Sequence, residues 1–273
     1  MSRTSNSDLS APDQPGSLHQ EIYDLRAALR SRPVIARALG MVQGRYDLDA
    51  DTAFDLMREG AQRHNLKLSA LAGGLLVAKA PAGPDWFPGR VRRAMPALSY
   101  VNDKQNNRTA ALGSFLDVVL TVMDTGVGDL QLLDPLTGAL NLEQHRNLSA
   151  EFIDFFATVA DDSTPCGTAV RQRCRVIVKD VALDPPLAGT RSGEMVLNEG
   201  VRAIQSTPLL VQGGRCVAVV STHHSAPGHS PTPAQLDQLD RLAAQTALWL
   251  DWHQRTIVLD ALEYVHTQAL RLR

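Results

Sequence analysis

The sequence predicts a multidomain fold: an all-α module near the N-terminus, followed by an α+β module with an antiparallel sheet flanked by helices. Apolar residues recur at helical spacing up to about residue 80, whereas short runs rich in Val, Leu and Thr alternate with helices after about residue 125. A Pro- and Gly-rich stretch separates the two patterns. The 273 residues, 44% of them hydrophobic, are enough for roughly two domains with buried cores.

The N-terminal module follows a polar tail. Residues 1–17 are rich in Ser, Pro and Asp, and we expect them to be disordered. Leu18 to Arg32 predicts a helix of about two heptads, too short alone to establish a coiled coil. Pro33 predicts a restart or kink, because proline suits the first turn of a helix, and Val34 to Gln43 then continues helical. The apolar face of the first segment consists of Ile22, Leu25 and Leu29.

Two more helices complete this module, which we place at residues 18–80. Asp49 is the expected N-cap of a helix from Ala50 to His64, since a carboxylate can accept hydrogen bonds from the first helical turn. Lys67 to Lys79, rich in Leu and Ala, predicts a further short helix. Together with the segment after Pro33, these make a three-helix unit.

Residues 81–105 predict a basic linker, because prolines and glycines interrupt regular structure and three arginines lie among them. An α+β domain is expected over residues 106–250, opening with a helix from Asn106 to Asp124 and containing helices at Leu148–Val159 and Gly167–Gln172. The expected strands are Asp129–Leu133, Arg175–Val178, Ala203–Pro208 and Cys216–Thr222. Gln212-Gly213-Gly214 predicts a hairpin turn between the last two.

A long helix is expected at the C-terminus, from Pro233 to about Arg271. Such a length is unusual for a globular helix. We therefore interpret residues 251–273 as a helical extension that pairs with another chain.

Charge is distributed unevenly along the chain. Residues 1–80 contain 10 Lys/Arg and 9 Asp/Glu, residues 81–110 contain 5 and 2, and residues 111–273 contain 12 and 18. The first third is therefore basic relative to the rest, which indicates an anionic partner there.

Five arginines and no acidic residue lie between Leu25 and Tyr46. Small residues among them would let a phosphate backbone approach closely, and Tyr46 could stack on an unpaired base. The alternative is a solvated helix face with ordinary arginines, and composition alone leaves both interpretations open.

The segments Pro33–Val42, Arg45-Tyr46, Ala53–Met57 and Ala61–Leu68 together resemble an ANTAR domain. The resemblance covers Arg32 to about Ala78. It implies a three-helix RNA-binding module that binds hairpin loops in nascent transcripts and prevents transcription termination. It also implies a dimer formed through the helix that precedes the module.

The resemblance implies an RNA-binding set by position. Ala38 and Gly40 match the small residues that let RNA approach, and Arg45 and Tyr46 match a basic-aromatic pair. Leu39 departs from the family, which usually has a basic residue there, so one phosphate contact is lost and a lower affinity is expected. The complete expected set is Arg32, Arg37, Ala38, Gly40, Arg45, Tyr46, Arg63 and Lys67.

The larger module resembles a GAF domain from about Leu112 to Leu250. The resemblance implies an antiparallel sheet with helices on it and either a small ligand over the sheet or a purely dimerising role. It is carried by Leu130–Gly138, Glu151–Phe156, Cys166–Ala169, Val176–Val181, Gly200–Leu209 and Val219–His223.

Five residues are candidates for a ligand pocket, although core packing is the default interpretation for the two phenylalanines among them. Cys166 precedes Gly167 at an expected helix start, where a thiol pKa would be lowered and a redox or haem role becomes an alternative to a structural cysteine. The five are Gln131, Phe152, Phe156, Cys166 and Ser206.

The sequence indicates no disulfide framework, metal site or catalytic motif. The three dispersed cysteines give neither a disulfide framework nor zinc spacing, and they fit a reducing, cytoplasmic compartment. His223, His224 and His229 match no standard zinc site. No catalytic motif, signal peptide or transmembrane segment is visible, so we expect no catalytic residue, metal, cofactor or membrane contact.

The sequence therefore predicts a non-enzymatic, signal-responsive RNA-binding antitermination regulator. Its expected partners are RNA hairpins in nascent transcripts, a second copy of the chain and an unidentified small molecule. The alternatives are a non-catalytic sensor or protein-interaction module that has lost RNA binding, which Leu39 favours, and an enzyme hidden in the sheet domain. The family usually places the sensor first, so here a signal would pass backward through residues 81–89 or through the final helix.

Overall fold

The computed structural model describes residues 15–101, 107–160 and 163–272, with the side chains of the first helix described from residue 29 onward. Most of the expected tail, residues 1–17, lies outside this range. The helical module has the three predicted helices, and they are α1 (Pro15–Tyr46), α2 (Ala50–Arg63) and α3 (Leu68–Val77).

Helix α1 runs without interruption through Pro33, so the preceding helix and the first helix of the module are continuous. The restart expected at Pro33 does not occur. Proline removes the N–H that would bond the carbonyl of Leu29, whose side chain is 53% exposed. Because Pro33 is exposed as well, water can satisfy that carbonyl and the helix tolerates the loss.

The boundaries of α2 follow from its local sequence. As predicted, Asp49 is the N-cap: its Oδ1 accepts from the Thr52 N–H at 2.9 Å and its Oδ2 from the Thr52 hydroxyl at 2.6 Å. These bonds to Thr52 lower the pKa of the Asp49 carboxyl. After the helix, Asn65 adopts a left-handed φ of 53°, which turns the chain toward α3.

The structure describes the segment expected as a linker up to residue 101, and this part packs against the rest of the protein. It has no helix or strand there. Nevertheless, Trp86 is only 5% exposed, and the indole Nε1 of Trp252 donates to the Arg93 carbonyl at 2.9 Å. This part of the segment is therefore packed structure rather than a free tether.

A six-stranded antiparallel sheet forms the centre of the larger module within the described residues, in the order β3-β2-β1-β6-β5-β4. Its last hairpin turns at Gly213 and Gly214, which both have positive φ, as the predicted turn requires. The strands are β1 (Val127–Leu133), β2 (Leu140–Arg146), β3 (Thr158–Val159), β4 (Val176–Val178), β5 (Ala203–Leu210) and β6 (Cys216–His224).

The sequence missed strands β2 and β3 and the helix α7 (Arg191–Asn198). All residues of β2 but the first are only half-buried, so the strand lacks the apolar run that identifies a strand. Helix α7 has eight residues, too few for a clear period. It depends on Gly193, where a Cβ would lie 2.1 Å from the carbonyl oxygen of Leu187.

Helices cover both faces of the sheet. On one face, α4 (Arg108–Val122) and α8 (Pro233–His253) bury Phe115 and Trp249 against the strands. On the other face, α7 packs with the shorter helices α5 (Ala150–Phe155) and α6 (Pro165–Gln172). Alternate residues of β1, β5 and β6 therefore face two different cores.

The C-terminal extension packs within its own chain. Helix α8 continues through a π-helical turn, Gln254–Val258, into α9 (Leu259–Arg271). We expected this extension to pair with another chain, but α9 lies against α2 and α3. Its apolar side completes the core of the helical module, with Ala261, Leu262, Val265 and Ala269 fully buried.

Two glycines allow this close approach. A Cβ at Gly60 of α2 would lie 2.8 Å from Cγ2 of Val265, and one at Gly74 of α3 would lie 2.7 Å from Cγ1 of Val258. Both distances are well below carbon–carbon contact. The helix backbones meet here because neither position has a side chain.

A buried histidine at the end of α8 predicts acid sensitivity. His253 is 2% exposed beside Trp249, and burial together with the charge of Arg108 lowers its pKa to about 3. Between pH ~6.5 and ~3 the unfolded chain binds a proton that the folded chain does not, so the free energy of unfolding falls as pH falls. We expect a loss of about 2 kcal/mol by pH 5 from this residue.

Guanidinium chloride unfolding at pH 7 and pH 5 measures this effect. The variant His253→Phe should show a smaller difference between the two pH values than the parent chain. Equal differences in the two proteins would contradict the assignment.

Candidate RNA-binding face and ligand cavity

One side of α1 is open and carries three residues of the expected RNA-binding set. Arg32, Arg37 and Gly40 are exposed and lie on one broad side of the helix. A Cβ at Gly40 or Gly44 would meet no atom within 4 Å. Two guanidinium groups thus border a stretch of bare backbone, a surface that a phosphate chain can approach.

The opposite side of α1 faces the core and contains two residues that we expected at the RNA surface. Ala38 is 0% exposed and Tyr46 is 1% exposed, with Val42 buried between them at four-residue spacing. In this conformation Ala38 is a packing residue and Tyr46 presents no face for stacking. The family motif specifies residue types along the chain, whereas the side of α1 that packs against α2 and α3 depends on the whole fold.

A hydrogen-bonded relay holds Tyr46. Its hydroxyl donates to Nδ1 of His266 in α9 at 2.7 Å, and Nε2 of His266 donates to the carbonyl oxygen of Gly83 at 2.9 Å. This direction follows because a carbonyl only accepts, so Nε2 of the neutral ring carries the hydrogen and Nδ1 accepts. The relay connects α1, α9 and the segment between the modules.

Arg45, the other half of the basic-aromatic pair, lies against the same segment. Its guanidinium carbon is 5.1 Å from the centroid of the Trp86 ring, within range of a cation–π interaction. Trp86 is fixed in turn by Glu263 of α9, whose carboxylate accepts from the backbone N–H groups of Trp86 and Phe87 at 2.9 and 3.0 Å.

A second acidic residue of α9 holds the same segment: Asp260, one turn before Glu263, pairs with the guanidinium groups of Arg90 and Arg92. We call residues 79–93 together with α9 the clamp.

The last two residues of the expected set also make contacts within the chain. The guanidinium of Arg63 lies 5.1 Å from the ring centroid of Tyr264 in α9. Lys67 pairs with Glu143 of β2 at 3.0 Å, and Arg108 approaches the same carboxylate at 3.4 Å. Arg45, Tyr46, Arg63 and Lys67 thus all contact the clamp or the sheet module.

Leu39, the departure from the family pattern, is partly buried and packs against the core of the helical module. An apolar side chain fits this position better than a charged one, because a buried charge needs a partner. The leucine therefore removes the positive charge that the family usually has here and adds an apolar contact to the core.

The five residues expected at a ligand pocket line one cavity of about 30 Å³. It lies between the sheet and helices α5 to α7. Apolar walls come from Phe152, Phe156, Pro165, Leu187, Val196 and Ile204, and polar groups come from Asp129, Gln131, Thr164, Cys166, Ser192, Ser206, Ser221 and His223.

The sequence missed the most polar feature of this cavity, the pair formed by Asp129 and His223. Their side chains are 5% and 4% exposed, and Nε2 of His223 lies 2.8 Å from Oδ2 of Asp129. Asp129 precedes the apolar Leu130 in β1, which was the available signal, whereas His223 lies between Thr222 and His224 in β6. The pairing itself depends on the register of β1 and β6, where Asp129 is opposite Ser221.

Cys166 is buried, which agrees with the structural cysteine and not with the redox alternative. It lies in the first turn of α6, a position that by itself lowers a thiol pKa, but burial raises its pKa to about 12. The hydroxyl of Thr164 lies 3.2 Å from its sulfur. The side chain is therefore a neutral thiol, and desolvation outweighs the helix terminus.

The two histidines at the end of β6, His223 and His224, have different surroundings. His223 faces the cavity, while His224 stacks on His229 with ring centroids 3.4 Å apart. Burial, with the nearby imidazoles, lowers the pKa of His224 to about 4. Across the described ranges, no group of three or more His, Cys, Asp or Glu side chains is placed to hold a metal ion.

A small helical module and a cavity-bearing sheet module, joined by a shared C-terminal helix, define a two-module regulatory protein. A family model for the GAF domain matches residues 107–251, and one for the ANTAR domain matches residues 23–76. The chain belongs to the GAF domain family and carries an ANTAR domain ahead of it. It thus joins an RNA-binding, antitermination type of domain to a sensor type of domain, and both types are regulatory rather than catalytic. No helix in the described part of the chain is both long and apolar enough to cross a membrane.

Several solved structures are similar to this chain, whereas comparison with curated proteins found no match. The GAF domain from Acinetobacter phosphoenolpyruvate-protein phosphotransferase has a TM-score of 0.44 and 14% identity, over 56% of this chain and 86% of that one. A GAF domain/HD domain protein from Geobacter sulfurreducens has a TM-score of 0.43 and 15% identity, over 55% and 99%. Free methionine-R-sulfoxide reductase from Neisseria meningitidis has a TM-score of 0.41 and 18% identity, over 56% and 81%.

Proposed function

We propose that this protein is a signal-responsive RNA-binding regulator of transcription antitermination. The helical module binds hairpin loops of nascent RNA, and the sheet module senses a small ligand or mediates dimerisation. The observation that carries this proposal is the contact of Arg45 and Tyr46, the matched RNA-binding pair, with a clamp that continues from the sensor module.

These contacts support a resting state in which the clamp is closed on Arg45 and Tyr46. Arg32, Arg37 and Gly40 are open to RNA, whereas Tyr46 is buried and Arg45 lies on Trp86. An RNA loop that stacks on Tyr46 competes with α9 for the same residue. Release of the clamp therefore raises the population that binds with full affinity.

The final helix is the better route for a signal. Helix α8 packs on β5 and β6, the strands whose other face lines the cavity, and it leads directly into α9. The π-helical turn between them contains one extra residue per turn, and such turns can be lost or moved by local rewinding. Rewinding would rotate α9 relative to α8 and pull His266 away from Tyr46.

We also propose a homodimer through the first half of α1. The stripe of Ile22, Leu25 and Leu29 has helical spacing, and Leu29 is 53% exposed in the single chain. Two such helices side by side would present two basic faces to paired RNA loops.

Reversal of charge on the open face tests RNA binding. The double variant Arg32→Glu, Arg37→Glu is expected to weaken binding of a hairpin RNA more than tenfold and to reduce the salt dependence by about two phosphate contacts. The measurement is a titration of full-length protein against labelled hairpin RNA at several salt concentrations. The control Arg58→Glu, Arg241→Glu changes net charge equally on exposed positions elsewhere and should bind like the parent. Equal affinity of both variants would contradict the assigned face.

The second candidate function is a sensor or protein-interaction module without RNA binding. Burial of Ala38 and Tyr46 and the apolar Leu39 favour it. It predicts that no variant of the chain, including those with an opened clamp, binds hairpin RNA in a salt-dependent way.

A further inference from the structure

The cavity of the sheet module presents a hydrogen-bonding pattern that the protein itself leaves incomplete. This pattern identifies a ligand class, an inference that rests on the proposed sensor function. Of the polar groups lining the cavity, the hydroxyls of Ser206 and Ser221 bond each other at 2.9 Å. In the described part of the chain, Oε1 of Gln131 and Nδ1 of His223 have no hydrogen-bond partner, although both residues are almost fully buried. Buried polar atoms are nearly always bonded, so these two call for a ligand.

The unpartnered atom of Gln131 is an acceptor. Its Nε2 donates to the carbonyl oxygen of Phe156 at 3.2 Å, and a carbonyl cannot donate in return. The amide orientation is thereby set, with the oxygen toward the cavity. A ligand must bring an N–H or O–H to this end.

The unpartnered atom of His223 is also an acceptor when the ring is neutral. Its Nε2 faces the carboxylate of Asp129, so that nitrogen carries the hydrogen and Nδ1 carries the lone pair. A second donor of the ligand belongs here.

A donor lies between the two acceptors. In the sheet, Ser221 is opposite Asp129 and Ser206 is opposite Ser221, while Gln131 and His223 lie on opposite sides of that row. The serine pair shares one hydroxyl hydrogen, which leaves the second free to donate into the cavity. The order along the cavity is acceptor, donor, acceptor.

Charge and size restrict the ligand further. The lining contains the carboxylate of Asp129 and neither lysine nor arginine, which opposes an anion. The volume of about 30 Å³ gives room for roughly two water molecules, so the cavity accepts only a small molecule of a few heavy atoms.

We propose that this cavity binds an uncharged, planar molecule of the urea class, with N–H donors at two ends and a carbonyl between them. Its donor, acceptor, donor order complements the cavity. One N–H group meets Gln131, the carbonyl oxygen accepts from the serine pair, and the other N–H group meets His223.

Four molecules of the same trigonal shape test this class: urea, acetamide, acetone and acetate. Urea has N–H donors at two ends, acetamide at one end and acetone at none. Acetate has no N–H donor and carries a negative charge. Titrations followed by NMR of the side-chain amides and imidazoles should give a dissociation constant for urea on the order of 1–10 mM, far below denaturing concentrations. Each lost donor end should weaken binding about 2–10-fold, and acetate should not bind. Equal shifts for urea and acetone, or stronger binding of acetate, would overturn the proposal.

A matched pair of glutamine variants locates the site. Gln131→Met removes the acceptor at similar length and should abolish the urea response. Gln205→Met is the control, because Gln205 is equally buried and its Oε1 also has no partner, but it faces Met123 on the other side of the sheet. A response lost in both variants, or in neither, would contradict the assignment. RNA binding measured on the same samples separates the two ideas, since absence of urea binding with intact RNA binding overturns the ligand class alone.

Discussion

Replacing Gly60 and Gly74 together by alanine is expected to open the clamp and to raise the affinity of the full chain for hairpin RNA at least tenfold. The added methyl groups would lie 2.8 and 2.7 Å from γ-carbons of Val265 and Val258. Both valines are buried and β-branched, so neither side chain can rotate away easily. The strain is relieved when α9 moves off α2 and α3, which also frees Tyr46.

The size of this effect follows from two opposing terms. Overpacking costs about 1–3 kcal/mol at each position, while alanine stabilises each helix by about 1 kcal/mol relative to glycine. The helix preference acts on α2 and α3 whether the clamp is open or closed. The overpacking acts only on the closed form, so the opening equilibrium shifts by the full 2–6 kcal/mol, and 1.4 kcal/mol is tenfold in apparent affinity. Overall stability changes less, because the two terms partly cancel.

Gly73 provides a matched control in the same helix. A Cβ there would meet no atom within 4 Å. Gly73→Ala should therefore stabilise α3 and leave RNA affinity unchanged, whereas the double variant should raise affinity and expose the clamp to limited proteolysis. A double variant with parental RNA affinity and parental protease resistance would show that the clamp does not control access to Tyr46.

The sequence predicted those parts of the fold that local interactions determine. The cap at Asp49 and the glycine turn before β6 depend on residues a few positions apart, and both are confirmed. Strand β2 and helix α7 were missed because tertiary packing rather than pattern defines them. Similarly, the length of the last helix was evident, but its docking on α2 and α3 depends on glycines nearly two hundred residues away.

The functional residues divide in the same way. The family pattern identified Gly40 and Tyr46 by position, yet only the fold shows that Gly40 is exposed and that Tyr46 is buried and hydrogen-bonded to His266 of α9. The cavity residues of β1 were predicted in part: Gln131 came from the resemblance, whereas Asp129 needed the register with β6. A hydrogen-bonded pair between two strands that lie far apart in the sequence cannot be identified from either strand alone.

The buried pair of Asp129 and His223 predicts the largest loss of stability. His223→Ala is expected to lower the free energy of unfolding by about 3–5 kcal/mol, because it leaves a carboxylate that is 5% exposed without its hydrogen-bonded partner. Adding Asp129→Asn removes that stranded charge, so the double variant should be more stable than His223→Ala alone.

This recovery distinguishes an electrostatic role from simple packing, since packing losses at two neighbouring positions would add. His224→Ala is the control, because this neighbour in β6 points away from the cavity and is partly exposed, and it should cost less than about 1 kcal/mol. Guanidinium chloride unfolding of the four proteins at pH 7 gives the comparison. If the double variant were less stable than His223→Ala, the carboxylate of Asp129 would not depend on His223, and the cavity would owe its polar pattern to other groups.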